Sequence, residues 1–222
     1  MFNHVNHGFL LEELSADLSE KGRLYTTPTG AVLPSVTTVL GMQDKSGLDA
    51  WRKRVGDAEA NRIMSQAATR GTAVHELAEK YVNNDPDWKK GAMPANLFTF
   101  NTVKSVLDKH LDNVWIQEAP LYSEKLSVAG RVDCIAEWDG ELSIIDYKTS
   151  RRPKLVQYVE GYFIQESVYA ACFYERTGVP IKKIVTVIAV DDSEPQVFIE
   201  KSMNHLHKFI DLRKKYREKY GI

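Results

Sequence analysis

Asp133, Asp146 and Lys148 are the residues whose types and spacing can do chemistry. Midway between the two acids stands Asp139-Gly140, a two-residue hairpin signal, because both central positions of a type I′ turn need positive φ. Counting outward pairs Trp138 with Glu141, Glu137 with Leu142, Ala136 with Ser143, Ile135 with Ile144 and Cys134 with Ile145. Asp133 then faces Asp146, and facing residues in a ladder lie about 4.5 to 5.5 Å apart at Cβ. Lys148 follows Asp146 by two positions, so the strand period places its ammonium on the same face. Two carboxylates so close raise each other's pKa unless a cation joins them. Lys148 supplies one positive charge, and a hard divalent metal, Mg²⁺ or Mn²⁺, suits the remaining oxygens. Such sites activate water and stabilise a phosphate under attack, which points to phosphodiester cleavage.

Three segments carry a family resemblance: Gly130-Arg131-Val132-Asp133, Asp146-Tyr147-Lys148-Thr149-Ser150 and Gln165-Glu166-Ser167-Val168-Tyr169. They resemble the GxxD, DYKT and QxxxY motifs of the RecB-like branch of PD-(D/E)XK nucleases, most closely the mitochondrial genome maintenance exonuclease type and its phage relatives. An upstream Arg70-Gly71-Thr72-Ala73-Val74-His75 adds to the match, which spans residues 30–200. The first acidic motif reads Val-Asp where Pro-Asp is usual. The resemblance implies a metal site of Asp133, Asp146, His75 and the Tyr147 carbonyl. It places Gln165 and Tyr169 toward that site and on the DNA. It also lays the segment containing Ser35 and Thr37 against the substrate backbone, where Arg70 and Thr149 are further candidate contacts. Glu118 matches an acidic residue of the preceding strand, which either reaches the metal through water or orients Arg131. Plainer readings stand beside these: Ser35 is a good helix N-cap, and a lone histidine at the margin of an apolar stripe, as His75 is, serves packing.

Composition is compatible with a globular intracellular chain. Of 222 residues, 43% are hydrophobic, enough for a substantial core. No targeting signal is read at the N-terminus, and no apolar run approaches the 18 or so residues of a membrane span. Cys134 and Cys172 are the only cysteines, and both sit in apolar surroundings. Two cysteines cannot ligate the four-cysteine iron–sulfur cluster of some RecB-like nucleases. Lys and Arg total 29 against 30 Asp and Glu, a net charge of −1, so any nucleic-acid contact must come from local basic runs. Candidates are Trp51-Arg52-Lys53-Arg54, Arg151-Arg152-Pro153-Lys154 and Leu212-Arg213-Lys214-Lys215-Tyr216-Arg217, the last reading more simply as a solvated helix face.

The elements that must position these residues follow from periodicity. Residues 23–33 alternate around Pro28-Thr29-Gly30 and predict a hairpin. Ser35 opens a short helix ending at Gly41. Residues 48–65 predict one helix, Gly71 interrupts the pattern, and Thr72 caps another carrying the stripe Val74, Leu77, Ala78, Tyr81 and Val82. Residues 85–94 form the clearest loop, a linker or flap. A helix is expected over 96–112, extended chain from 114 into the central hairpin, a helix over 161–175, strands at 181–190 and 196–200, and a last helix over 203–220. The fold class is α/β in the broad sense, a mixed central sheet flanked by helices. It forms a single nuclease domain over 1–222: an appendage at 1–30, a helical part at 31–112, a catalytic core at 113–200 and a final helix at 201–222.

The function expected is a Mg²⁺- or Mn²⁺-dependent DNA exonuclease acting on single-stranded DNA from free ends. It would work in replication, recombination or repair beside other proteins of those processes and away from membranes. A double-strand-processing recombination exonuclease or a structure-selective endonuclease would use the same residues. A catalytically silent DNA-binding protein would keep the fold, but intact Asp133, Asp146 and Lys148 argue against silence.

Overall fold

The computed structural model describes all 222 residues. Five strands form the main sheet in the order β4 (Leu111–Ser123), β5 (Val128–Trp138), β6 (Glu141–Ser150), β7 (Lys183–Val190) and β8 (Gln196–Lys201). All neighbours are antiparallel except β6 and β7, which run parallel because α5 (Glu160–Thr177) crosses over between them. The mixed α/β class expected from the sequence is therefore the one observed.

Each face of the sheet buries a separate apolar layer. On one side α3 (Asp57–Val82) and α4 (Pro94–His110) pack Val74, Leu77, Phe100 and Leu107 onto Cys134, Ile145, Val185 and Val187. On the other, α1 (Val36–Leu40), α5 and α6 (Leu206–Tyr220) pack Val39, Val168, Phe173 and Tyr216 onto Ile135, Ile144, Ile184 and Ile188. Alternate β6 residues serve the two layers, Ile144 one and Ile145 the other, as the strand period requires. Cys134 and Cys172 are buried free thiols in different layers. Burial raises the Cys134 thiol to about 12.

The helical half departs from expectation at its glycines. α2 (Ser46–Val55) stops at Gly56, whose φ of 85° and ψ of 148° lie where only glycine sits comfortably, so the single helix expected over 48–65 is two. Gly71, expected to interrupt the pattern, lies inside an unbroken α3. A helical glycine costs about 1 kcal/mol. Burying Val74 and Leu77 one and two turns later returns about 1.5–3 kcal/mol each, and packing wins. Residues 85–94 are also not a free flap. Trp88 stands against Tyr81 and Phe100 at ring separations of 5.0 and 5.3 Å, closing the end of the α3–α4 pair.

A second sheet of three antiparallel strands joins β1 (Ser15–Ser19), β2 (Gly22–Thr26) and β3 (Val32–Pro34). The expected hairpin at 23–33 is β2 and β3. β1 was not expected: SADLS is short, and its two apolar residues, Ala16 and Leu18, are exposed rather than turned to a core. The first residues also return to the main body: Val5 N–H donates to the Val114 carbonyl at 2.8 Å, and Phe2 lies edge-on to Tyr81. No helix is long and apolar enough to cross a membrane.

Candidate active site

The site stands where the sheet forks. The hairpin register is as counted from Asp139-Gly140, from Trp138–Glu141 to Cys134–Ile145, and the two turn residues have φ of 51° and 76°. Pairing stops there. Beyond Cys134, β5 stays with β4, and beyond Ile145, β6 stays with β7, so the strands diverge at Asp133 and Asp146. A fork leaves backbone groups without ladder partners, and one is met by a functional side chain: Asp133 Oδ2 accepts the Tyr147 N–H at 2.9 Å. The facing pair expected from the count is thus a splayed pair.

Asp133 looks toward α3. His75 Nδ1 is 3.3 Å from Asp133 Oδ2, and the imidazole stands edge-on to the Tyr147 ring. Glu118 lies on β4 between the paired positions Gln117–Cys134 and Ala119–Val132, opposite Asp133, with a left-handed φ of 45°. One ligand atom from each of His75, Glu118 and Asp133 falls within 4.8 Å of the others. Burial, then the charges of Asp133 and Glu79, push the Glu118 carboxyl up to about 7. Arg131 does not hold that carboxylate. Its guanidinium donates to the Glu118 backbone carbonyl and pairs with Glu13 at 2.5 Å. The Glu118 carboxylate thus lies within reach of His75 and Asp133, while Arg131 meets the backbone carbonyl of the same residue.

Asp146 looks toward α5 and is only 2% exposed. Its Oδ1 accepts Gln165 Nε2 at 3.1 Å. Its Oδ2 has no hydrogen bond of proper geometry, only an ion pair with Lys148. Burial raises its pKa to about 6, with Lys148 pulling down and Asp133 pushing up. Burial alone would lower Lys148, but Asp146 and Asp133 outweigh it and hold the ammonium above its usual range. Lys148 also lies over the Tyr162 ring, 5.2 Å from its centroid. Tyr169, four residues past Gln165, is buried against Gly130: a Cβ on that glycine would stand 2.9 Å from the tyrosine Cε1 and Oη. Gly130 is therefore the position where β5 admits the ring.

The remaining candidates divide. Thr149 lies at the cleft side of β6, facing Gly71. Ser35 is buried and caps α1, accepting the Thr38 N–H at 3.0 Å, while Thr37 is exposed beside it. Arg70 is held in an ion pair with Asp191, just past the end of β7. A residue that sequence reasoning passed over is Glu166. It is fully buried, accepts the Thr186 hydroxyl on Oε1, and leaves Oε2 without a partner. Thr186 is the register neighbour of Asp146 on β7. An acidic side chain inside the QxxxY spacing was the available signal. In front of the fork opens a polar cleft of about 540 Å³, lined among others by Arg23, Thr72, His75, Glu79, Glu118 and Asp133.

The donors fit a hard divalent cation: one imidazole, two carboxylates within reach of each other, and the buried Asp146 carboxylate, whose Oδ2 is paired with Lys148.

No family model matches the sequence. The chain is 31% identical over 133 residues to the human protein named mitochondrial genome maintenance exonuclease 1, a match covering 55% of this chain and 38% of that protein. The proteins of the same name from Mus musculus and Xenopus tropicalis are 25% and 28% identical over 130 residues each. The chain thus spans well under half the length of these relatives. A crystal structure of a candidate exonuclease from Eubacterium rectale superposes with a TM-score of 0.48 at 18% identity over 68% of each chain. The resemblance to the genome maintenance exonuclease type drawn from the motifs is matched by a sequence likeness over 55% of the chain.

Proposed function

With that likeness as premise, we propose that the chain is a metal-dependent deoxyribonuclease of the RecB-like PD-(D/E)XK branch, an exonuclease that shortens single-stranded DNA from free ends in replication, recombination or repair. The observation that carries the reading is the fork, where His75, Glu118 and Asp133 cluster beside the Asp146–Lys148 pair.

His75, Glu118, Asp133 and Asp146 would hold Mg²⁺ or Mn²⁺, with the Tyr147 carbonyl a further donor. The ion, when bound, lowers the pKa of water and offsets phosphate charge. The chain's own groups do the rest. Gln165 fixes the rotamer of Asp146 through its 3.1 Å hydrogen bond, and Asp133 is fixed by the Tyr147 N–H. Lys148 stays protonated beside two acids, so it acts as a fixed positive charge for a phosphate oxygen and as an orienter of the attacking water. Tyr169 braces β5 behind Asp133. Thr149 and the exposed Thr37 are the hydroxyls offered to the substrate backbone. Arg70 joins them only by leaving Asp191.

The test is digestion of end-labelled linear and closed circular single strands, with a duplex of the same sequence, in Mg²⁺ or Mn²⁺. Linear single strands should shorten progressively while circles persist. Asp146→Asn should lower the rate by at least about a hundredfold. Rapid nicking of circles, absent from Asp146→Asn, moves the site to an endonuclease. Metal-dependent turnover at the wild-type rate in Asp146→Asn overturns the assignment.

A further inference from the structure

Between Lys148 and helix α5 the chain makes a turn that is firmly held yet shows apolar side chains to water. Ser150 Oγ donates to the Arg152 carbonyl at 2.7 Å, and the Asp191 N–H donates to the Ser150 carbonyl at 3.0 Å. Gln196, at the start of β8, clamps Lys154 twice: its Oε1 accepts the Lys154 N–H at 2.7 Å, and its Nε2 donates to the Lys154 carbonyl at 3.0 Å. The Tyr158 N–H closes a 3-10 turn on the Leu155 carbonyl at 2.9 Å. Val159, next in sequence, is fully buried. Backbone fixed on both sides would let these side chains fold inward. Instead Leu155, Val156 and Tyr158 are 63%, 59% and 67% exposed. Single exposed apolar residues need no explanation, but three within four positions on a braced turn do.

The surroundings say what the patch fits. Arg151, Arg152 and Lys154 are on the same turn, Arg152 exposed and Arg151 reaching α3 through Gln66 Oε1 at 3.1 Å. The turn leaves the strand that carries Lys148 and enters the helix that carries Gln165, so it is continuous with the fork. A basic path with an aromatic and aliphatic platform matches unpaired nucleic acid, whose phosphates take the cations and whose bases have faces to stack. Paired bases in a duplex offer no such faces except at an end. A protein partner would equally take the apolar groups but has no need of three adjacent cations.

The geometry points to the 151–158 turn as a base-stacking platform for single-stranded DNA, with Tyr158 as the stacking residue and Leu155 and Val156 flanking it. The proposal takes its substrate from the nuclease reading and is tested without cleavage.

Full-length protein carrying Asp146→Asn, in chelator, is titrated into a fluorescein-labelled oligothymidine and into a blunt duplex of equal length. A parallel titration uses a single strand containing 2-aminopurine, whose emission is quenched by stacking. Tyr158→Ala should weaken single-strand binding roughly tenfold and remove the quench, while Tyr158→Phe keeps both within about twofold. Duplex binding should change by less than about twofold in either variant. Tyr158 is solvent-facing, so its truncation leaves the core intact, which the melting temperature checks. Unchanged single-strand affinity and quench in Tyr158→Ala overturn the platform, even if wild-type protein digests DNA. A concentration-dependent dimer that Tyr158→Ala abolishes, with DNA binding unchanged, assigns the patch to a second copy and also overturns it. If wild-type protein cleaves nothing but the Tyr158 dependence is found, the nuclease reading fails and the platform stands.

Discussion

At the scale of single residues, the buried carboxyl of Glu166 has a measurable cost. Burial first, then the nearby charge of Asp146, holds its pKa well above the ordinary value, with Thr186 and Lys148 only partly opposing. An unfolded glutamate titrates near 4.3. Below that pH both states are protonated and the group contributes no difference. As pH rises through it the unfolded chain releases a proton that the folded chain keeps, so stability falls with rising pH until the folded pKa is passed. Glu166→Gln keeps the shape and the Thr186 bond but cannot titrate. It should raise the melting temperature by at least about 3 °C at pH 8 and leave it unchanged, or slightly lower, at pH 4. Thermal melts at the two pH values in metal-free buffer check this. An equal shift at both would mean that the carboxyl titrates alike in the folded and unfolded states, and a melting temperature lowered at pH 8 would mean that Glu166 is ionised in the fold. The Asp146–Lys148 pair and the hairpin that carries Asp133 beside it were legible from type and spacing alone. Glu118's place among the metal-type donors was not, because a left-handed residue on β4 leaves no mark in the period.

Elements bring the separate motifs together. The hairpin register was legible down to Cys134–Ile145, since a type I′ turn leaves one way to count. The fork beyond it was not, because divergence is decided by β4 and β7 competing for the same strands. Likewise Gly71 looked like a break and Gly56 did not. Which glycine ends a helix depends on the φ that packing demands, and the sequence shows only that the freedom exists. Trp88 lies in the segment read as a linker or flap, and its neighbours Tyr81 and Phe100 make it a packing residue. The most specific element-level consequence is the contact between β5 and α5. Gly130→Ala would put a methyl 2.9 Å from the Tyr169 ring and 3.2 Å from Val36 Cγ2. Overpacking of this kind costs about 1–3 kcal/mol, or a fall in melting temperature of about 3–10 °C. Tyr169→Phe removes the oxygen, one of the two ring atoms at 2.9 Å, so the double variant should lose less than the two singles added together. Additive losses, or a Gly130→Ala melt within 1 °C or so of wild type, would show that the ring does not need the glycine.

For the whole molecule the deciding quantity is charge. Net charge is −1, so the protein as a body does not attract a polyanion, and its cleft holds Glu76, Glu79, Glu118 and Asp133 besides Arg23 and Arg131. Arg131 is already paired with Glu13, and Arg70 with Asp191. What remains besides Arg23 is a short basic path, Arg151, Arg152 and Lys154, leading to Lys148, itself committed to Asp146 until a cation displaces it. Binding of single strands should therefore release few counterions. With three phosphate contacts, log K against log salt should fall with a slope of about −2, since each contact to a single strand contributes about −0.7. Titration of metal-free Asp146→Asn protein with a labelled oligonucleotide from 50 to 300 mM salt, roughly the range in which such slopes are read, measures it. Arg152→Ala should make the slope shallower by about 0.7 and weaken binding similarly for all sequences, because a phosphate contact carries no base information. A slope steeper than about −5 would require more than seven contacts. That would place the substrate across a wider surface, with α2's Arg52-Lys53-Arg54 run the next cations to replace.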